Sequence, residues 1–249
     1  MLIFDAPLDS STRSLNRSPS WQKCLAINHP ALKKYEQVVW VDADVLINPT
    51  TAPDICATVP HHKIGGTNAY SVYNTAMHDH LYEEYLAFSQ TRNQKRFISR
   101  EGREYYRLYG IDTEIQDVIQ CGILVLNPDI HAPLFQEVYD RYEEKVDPET
   151  GYTFNLEMRP LSYEITRNNL HHWIDFRFNA IVSNLLYLNA PYLFLQPQRY
   201  ESIHFQLALT SIYTHHWFLY FAGGSQYRDW MKYILPGIQR PTDFDVAEE

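Results

Sequence analysis

Glycine is scarce in this chain, with nine residues in 249, about half the ordinary share of roughly 7%. That excludes a collagen-like or low-complexity polypeptide. Cysteine is scarcer still. Cys24, Cys56 and Cys121 are scattered and form no CxxC pair, and an odd count argues against a disulfide framework. A reducing, cytoplasmic setting is the simplest reading. No run of about 18 apolar residues occurs, so no membrane span is expected. The opening Met1-Leu2-Ile3-Phe4-Asp5 has no basic stretch and reaches an acid at once, unlike a secretory leader. Positive charge is in deficit: 21 Lys and Arg face 30 Asp and Glu, for a net charge of -9. That disfavours a nucleic-acid partner. The 11 histidines include three adjacent pairs, His61-His62, His171-His172 and His215-His216, but no HExxH spacing accompanies them.

What remains is an ordinary globular balance, 45% hydrophobic and 20% charged. The length suits one domain with a substantial core. We expect that domain over residues 1–240 and an acidic, frayed tail (PTDFDVAEE) over 241–249. Aromatic residues reach 14%, with 19 tyrosines. A Tyr-rich core and surface accounts for them, and stacking on a sugar or base is the functional alternative.

Leu2-Ile3-Phe4 reads as the end of a strand. Ser18-Pro19 reads as an N-cap with proline at the first helical position, ahead of a helix from Trp21 that Pro30 interrupts. Val38-Val39-Trp40-Val41 is an unbroken apolar strand, the pattern of a sheet buried on both faces. It stops at Asp42-Ala43-Asp44 and resumes as Val45-Leu46-Ile47 before Asn48-Pro49. Lys63-Ile64-Gly65-Gly66 and Gly122-Ile123-Leu124-Val125-Leu126 are further strands. Residues 79–90 look helical, Thr91–Tyr109 is a basic stretch, and Pro133–Lys145 is an amphipathic helix on Leu134, Val138 and Tyr142. Leu161–Ile165 has helical character, and His216–Phe221 is a last strand ended by Gly223-Gly224. Strands alternating with helices point to an α/β fold with a mostly parallel sheet flanked by helices. Ligands of such sheets bind beyond the carboxyl ends of the strands, where Asp42 and Asp44 lie.

Two carboxylates that close, at the end of an apolar strand, either raise each other's pKa or attract a cation. A hard divalent ion, Mg²⁺ or Mn²⁺, is the natural partner, and such ions also take phosphate oxygens. The chemistry therefore reads as metal plus diphosphate. The ordinary structural alternative has Asp44 capping a turn and Asp42 binding nearby amides.

The stretch Tyr35 to Pro49, with VVWVDADVLINP at its centre, resembles the DxD region of GT-A nucleotide-sugar glycosyltransferases. It is similar to the glycogenin-like group and related galactosyl- and mannosyltransferases. Trp21-Gln22-Lys23 resembles the helix before that strand, Gln120 to Asn127 the family's Asn-Ser-Gly strand, and Phe221-Ala222-Gly223-Gly224 its C-terminal element. The resemblance implies a GT-A-like (Rossmann-like) sheet and transfer of a hexose from a UDP- or GDP-sugar to a carbohydrate or protein acceptor, with retention. It implies Asp42 and Ala43 at the nucleotide, Asp42 and Asp44 on the metal, and Gly122 beside the donor sugar. Gly223 and Gly224 would turn amides toward the diphosphate, and Glu157 would be an acid facing the sugar.

Three departures stand out. The family's metal-binding histidine would fall at Tyr220; His216, two strand periods away on the same face, and His204 are possible substitutes. No lysine follows the final glycines. The family's first βα units would precede Phe4, so the chain reads as N-terminally incomplete, with an open sheet edge beside the DxD strand. Two other functions fit parts of the pattern. One is a non-catalytic carbohydrate- or nucleotide-binding remnant of the fold. The other is a haloacid-dehalogenase-type phosphatase, whose first motif is also a strand followed by DxD, with Asp42 as nucleophile; its later acidic pair is missing here.

Overall fold

The computed structural model of the protein describes residues 1–4, 6–69, 102–107, 109–145, 157–190, 193, 203–222 and 225–234. In chain order the elements are α1 (Thr12–Leu15), α2 (Lys23–Ala26), β1 (Val38–Val41), β2 (Val45–Ile47), β3 (Ile64–Gly66), α3 (Gly102–Arg107), β4 (Ile123–Leu126), α4 (Pro128–Arg141) and α5 (Met158–Arg167). There follow β5 (His171–Trp173), β6 (Ala180–Ile181), α6 (Val182–Asn189), α7 (Ile203–His215), β7 (Phe218–Tyr220), α8 (Ser225–Arg228) and α9 (Met231–Ile234). The chain divides into two compact units: Met1–Val41 with Ile55–Ile174, and Asp42–Asp54 with Asp175–Glu249.

The first unit holds a sheet in the order β1-β4-β3-β5. β1 and β4 are antiparallel, with Val38 opposite Leu126 and Val41 opposite Ile123. All four residues of β4 are buried, which is why its sequence is an unbroken apolar run. Trp21, Cys24 and Ile27 pack with Leu124, Leu126, Phe135, Val138, Leu161 and Ile165 in one core. Each such large apolar side chain contributes about 1.5–3 kcal/mol on burial. β3 passes so close to its neighbours that a Cβ on Gly66 would lie 2.6 Å from Ile119 Cδ1. Arg17 fastens the N-terminal segment to this core: it donates to the carbonyl of Tyr139 at 2.8 Å and lies over the Trp21 ring.

Helix α4 begins as its residues dictate. Asn127 caps it by accepting from the N–H groups of Asp129 and Ile130, and Pro128 fills the first position. The N–H of Asn127 donates in turn to Nδ1 of the buried His131 at 2.9 Å. The helix buries His131, Phe135, Val138 and Tyr139. The expected face of Leu134, Val138 and Tyr142 is thus shifted: Val138 is at its centre and the other two flank it.

The second unit has a three-stranded sheet, β2-β7-β6, with β7 in the middle. β2 runs antiparallel to β7 and β6 runs parallel to it.

The strands at 38–41, 45–47, 64–66 and 123–126 lie where the sequence places them. Their directions do not make the expected mostly parallel sheet. Among the described strands β1–β4, β3–β4 and β2–β7 are antiparallel, and only β3–β5 and β6–β7 are parallel. An apolar run reports burial on both faces and carries no information about direction. Leu2-Ile3-Phe4 forms no strand. Ser18 caps as expected, over a 3₁₀ turn Pro19–Gln22 that leads into α2. The expected helix over 79–90, and Gly223 and Gly224, lie outside the described residues. No helix among the described residues is long and apolar enough to cross a membrane.

Gly66→Ala forces a methyl group into a filled space and should lower stability by about 1–3 kcal/mol, read as a fall in melting temperature. A second expectation concerns pH. Burial holds His131, His171 and His216 below the ordinary histidine range. The unfolded chain therefore binds protons at these sites first, beginning near pH 6.5. Stability should be full above that value and fall as pH drops below it. Denaturant midpoints that are flat between about pH 7.5 and about pH 5.5 would contradict this assignment.

Candidate functional site

The chain passes from the first unit to the second between Val41 and Asp42. Asp42, Ala43 and Asp44 form the turn that follows β1, closed by the N–H of Val45 donating to the Asp42 carbonyl at 3.1 Å. Backbone bonds to the β7 region hold the far side. Phe221 N–H donates to the Asp44 carbonyl at 2.9 Å, and Asn48 N–H donates to the Trp217 carbonyl at 2.7 Å. Between these bonds Val45 faces Tyr220 and Ile47 faces Phe218 in register. The buried Asn48 locks the end of the segment, donating from its side chain to the Tyr213 carbonyl and accepting from Thr50. The Asn-Pro that follows the carboxylate pair is thus a fastening point.

Tyr220 reaches the carboxylates. Its hydroxyl donates to Asp42 Oδ2 at 3.0 Å. Both carboxylate residues and Tyr220 are half-buried. The position at which the resemblance places a metal-binding histidine is therefore filled by a phenol that already touches the first aspartate.

His216 has different surroundings. Its Nδ1 donates to the Ile212 carbonyl at 2.7 Å, and its ring meets Phe176 edge to face. Burial, above all, holds its pKa down. Among the described residues no three His, Cys, Asp or Glu side chains converge in a group that could hold a metal ion. Asp42, Asp44 and His216 are accordingly not assembled as a ligand triplet.

In the first unit Glu157 stands at the N-terminus of α5, 2% exposed. It does not present a carboxylate to solvent. Its Oε1 accepts from Lys23 Nζ at 2.7 Å, with both side chains all but fully buried. Lys23 also donates to the Cys121 carbonyl at 2.8 Å and lies 5.6 Å from the Trp40 ring centre. Glu157 Oε2 is buried with no hydrogen-bond partner among the described residues. One ammonium thus joins α2, the indole of β1, the peptide before Gly122 and the start of α5. Gly122 is buried in the turn that opens β4.

Sequence reading passes over the pairing of Lys23 and the contact made by Tyr220. Lys23 is the only Lys, Arg, Asp or Glu between Pro19 and Pro30, within a segment that otherwise reads as core, and that isolation is the signal for a paired, buried charge. The contact of Tyr220 with Asp42 becomes visible only once the antiparallel pairing of β2 with β7 is known.

No protein-family profile and no curated protein sequence matches this chain. Two solved structures are similar to it at low resemblance. One is a glycosyltransferase involved in the glycosylation of the major capsid of PBCV-1, with 15% identity and a TM-score of 0.45, covering 91% of this chain and 80% of that one. The other is the bifunctional glycosyltransferase WbbM in its apo form, with 13% identity and a TM-score of 0.45, covering 88% of this chain and 35% of that one.

Removing one partner of the buried pair leaves the other charge stranded. Lys23→Met should cost about 3–5 kcal/mol. The double variant Lys23→Met/Glu157→Leu should recover much of that loss, because no charge is left unpaired. Denaturant unfolding of the two variants checks both statements, and an additive loss would contradict the pairing.

Proposed function

We propose that the protein is a metal-dependent glycosyltransferase that moves a hexose from a UDP- or GDP-sugar to a carbohydrate or protein acceptor. The observation that carries this reading is the pinned Asp42-Ala43-Asp44 turn. Two carboxylates sit at the end of an apolar strand, and backbone bonds to β7 fix the turn. The DxD resemblance supports the same reading and is the source of the retaining outcome.

The donor set fits Mn²⁺ or Mg²⁺. Such an ion typically uses one or two protein carboxylates and completes its shell with water and substrate phosphate. Asp42 and Asp44 would hold it. When bound, it supplies Lewis acidity toward the leaving diphosphate. The backbone of the turn is fixed by bonds to Val45 and Phe221, and two carboxylates on one such turn would favour a bound cation. Glu157 enters this reading through its ion pair. It fixes Lys23, and Lys23 fixes the Cys121 carbonyl before Gly122, the peptide that the resemblance places beside the donor sugar. Gly223 and Gly224 keep the role of diphosphate-facing amides that the resemblance implies.

Binding of UDP- and GDP-hexoses, measured by calorimetry with Mn²⁺ and with a chelator, tests the proposal. Asp44→Ala should weaken Mn²⁺-supported donor binding by at least about tenfold, since one hard ligand is lost. Equal affinity with and without metal in a folded protein would sink the metal-dependent reading. Metal-dependent binding without turnover on any acceptor would favour the non-catalytic remnant.

A further inference from the structure

We propose that Tyr220 is a positioning residue for the metal: its hydroxyl holds the Asp42 carboxylate in its ligating orientation. The inference rests on the reading of Asp42 and Asp44 as metal ligands and goes beyond it by giving the site its second layer.

Three observations carry it. The phenol donates to Asp42 Oδ2 at 3.0 Å, a normal hydrogen bond. Tyr220 is itself held by the sheet. It is the last residue of β7, opposite Val45 on β2 and opposite Ile181 on β6. The next residue, Phe221, bonds the Asp44 carbonyl. The same few residues of β7 therefore bind one aspartate through its side chain and the other through its backbone. An aspartate on an exposed turn samples several rotamers, whereas this one is tied to a strand with neighbours on both sides. Outer partners that orient a ligating carboxylate in this way are typically worth 10–100-fold in metal affinity.

The phenol acts as a donor here and Asp42 as the acceptor. A tyrosine that ligated the metal directly would do so as phenolate and would give up this bond. The two roles leave different signatures in the near ultraviolet.

The experiment is titration of the full chain with Mn²⁺ alone, followed by the paramagnetic resonance of the free ion, for the wild type and Tyr220→Phe. The ring is kept in this variant, so packing is preserved; its melting curve checks that. We expect affinity to fall by about tenfold or more in Tyr220→Phe. Wild-type binding with unchanged or tighter affinity in the variant overturns the inference while leaving the metal reading intact. Absence of Mn²⁺ binding in the wild type overturns both. The second measurement needs no variant. The difference absorbance of the wild type on adding Mg²⁺ should show a perturbed neutral phenol, and appearance of the ionised-phenol band would overturn positioning in favour of direct ligation.

Discussion

Taking an ammonium group out of water costs several kcal/mol even after the protein relaxes, and Lys23 is 4% exposed. Its burial is made tolerable by the groups that meet it, among them the Glu157 carboxylate, the Cys121 carbonyl and the face of Trp40. That requirement fixes how α2, β1, β4 and α5 sit against one another within the first unit. The apolar core around Trp21, Phe135 and Leu161 could be filled by other side chains of similar volume at modest cost. The ion pair has no such freedom, because shifting any one element strands a charge. Apolar packing supplies most of the stabilisation in this unit, and the ion pair supplies the uniqueness of its arrangement.

The second unit holds its acidic turn through backbone bonds. Here the turn is closed by Val45 and clamped by Phe221 and Asn48. The backbone of the acidic turn is thereby held from both sides. The fastening is made by backbone and by Asn48, which explains why the flanking residues are strand formers and an asparagine and why Ala43, at the exposed apex, can be small.

The sequence makes the apolar strands, the break at Asp42 and the Ser18 cap legible, because burial and capping leave local signatures: unbroken β-branched runs and Ser before Pro. Strand direction is not legible, since an apolar run reads alike in either sense. That is why the expected parallel sheet gives way to mixed pairing. Of the candidate site, the carboxylate pair reads directly from its spacing. The fate of Glu157 does not. A lone acid near a helix start looks available to a substrate, and only the fold reveals that Lys23 neutralises it. The surroundings of His216 are hidden for a similar reason. Strand periodicity puts it on the same face as Tyr220, but the structure ends α7 there and ties its ring to the Ile212 carbonyl.

The position of β7 has a consequence for the order of events during synthesis and folding. The residue that holds Asp42 lies 178 positions further along the chain. β1 finds its partner β4 much earlier, so the first unit can begin to order while the carboxylate turn still has nothing to close against. Loop closure costs only about 0.6 kcal/mol more per doubling of separation, but pairings dominated by such non-local contacts form slowly. A nascent or refolding chain therefore passes through a period in which its acidic turn is exposed on one side and β2 has an unpaired edge. The contact between Tyr220 and Asp42 is made in one of the last steps of assembly, and premature arrest leaves a chain with an ordered first unit and an unclosed acidic turn.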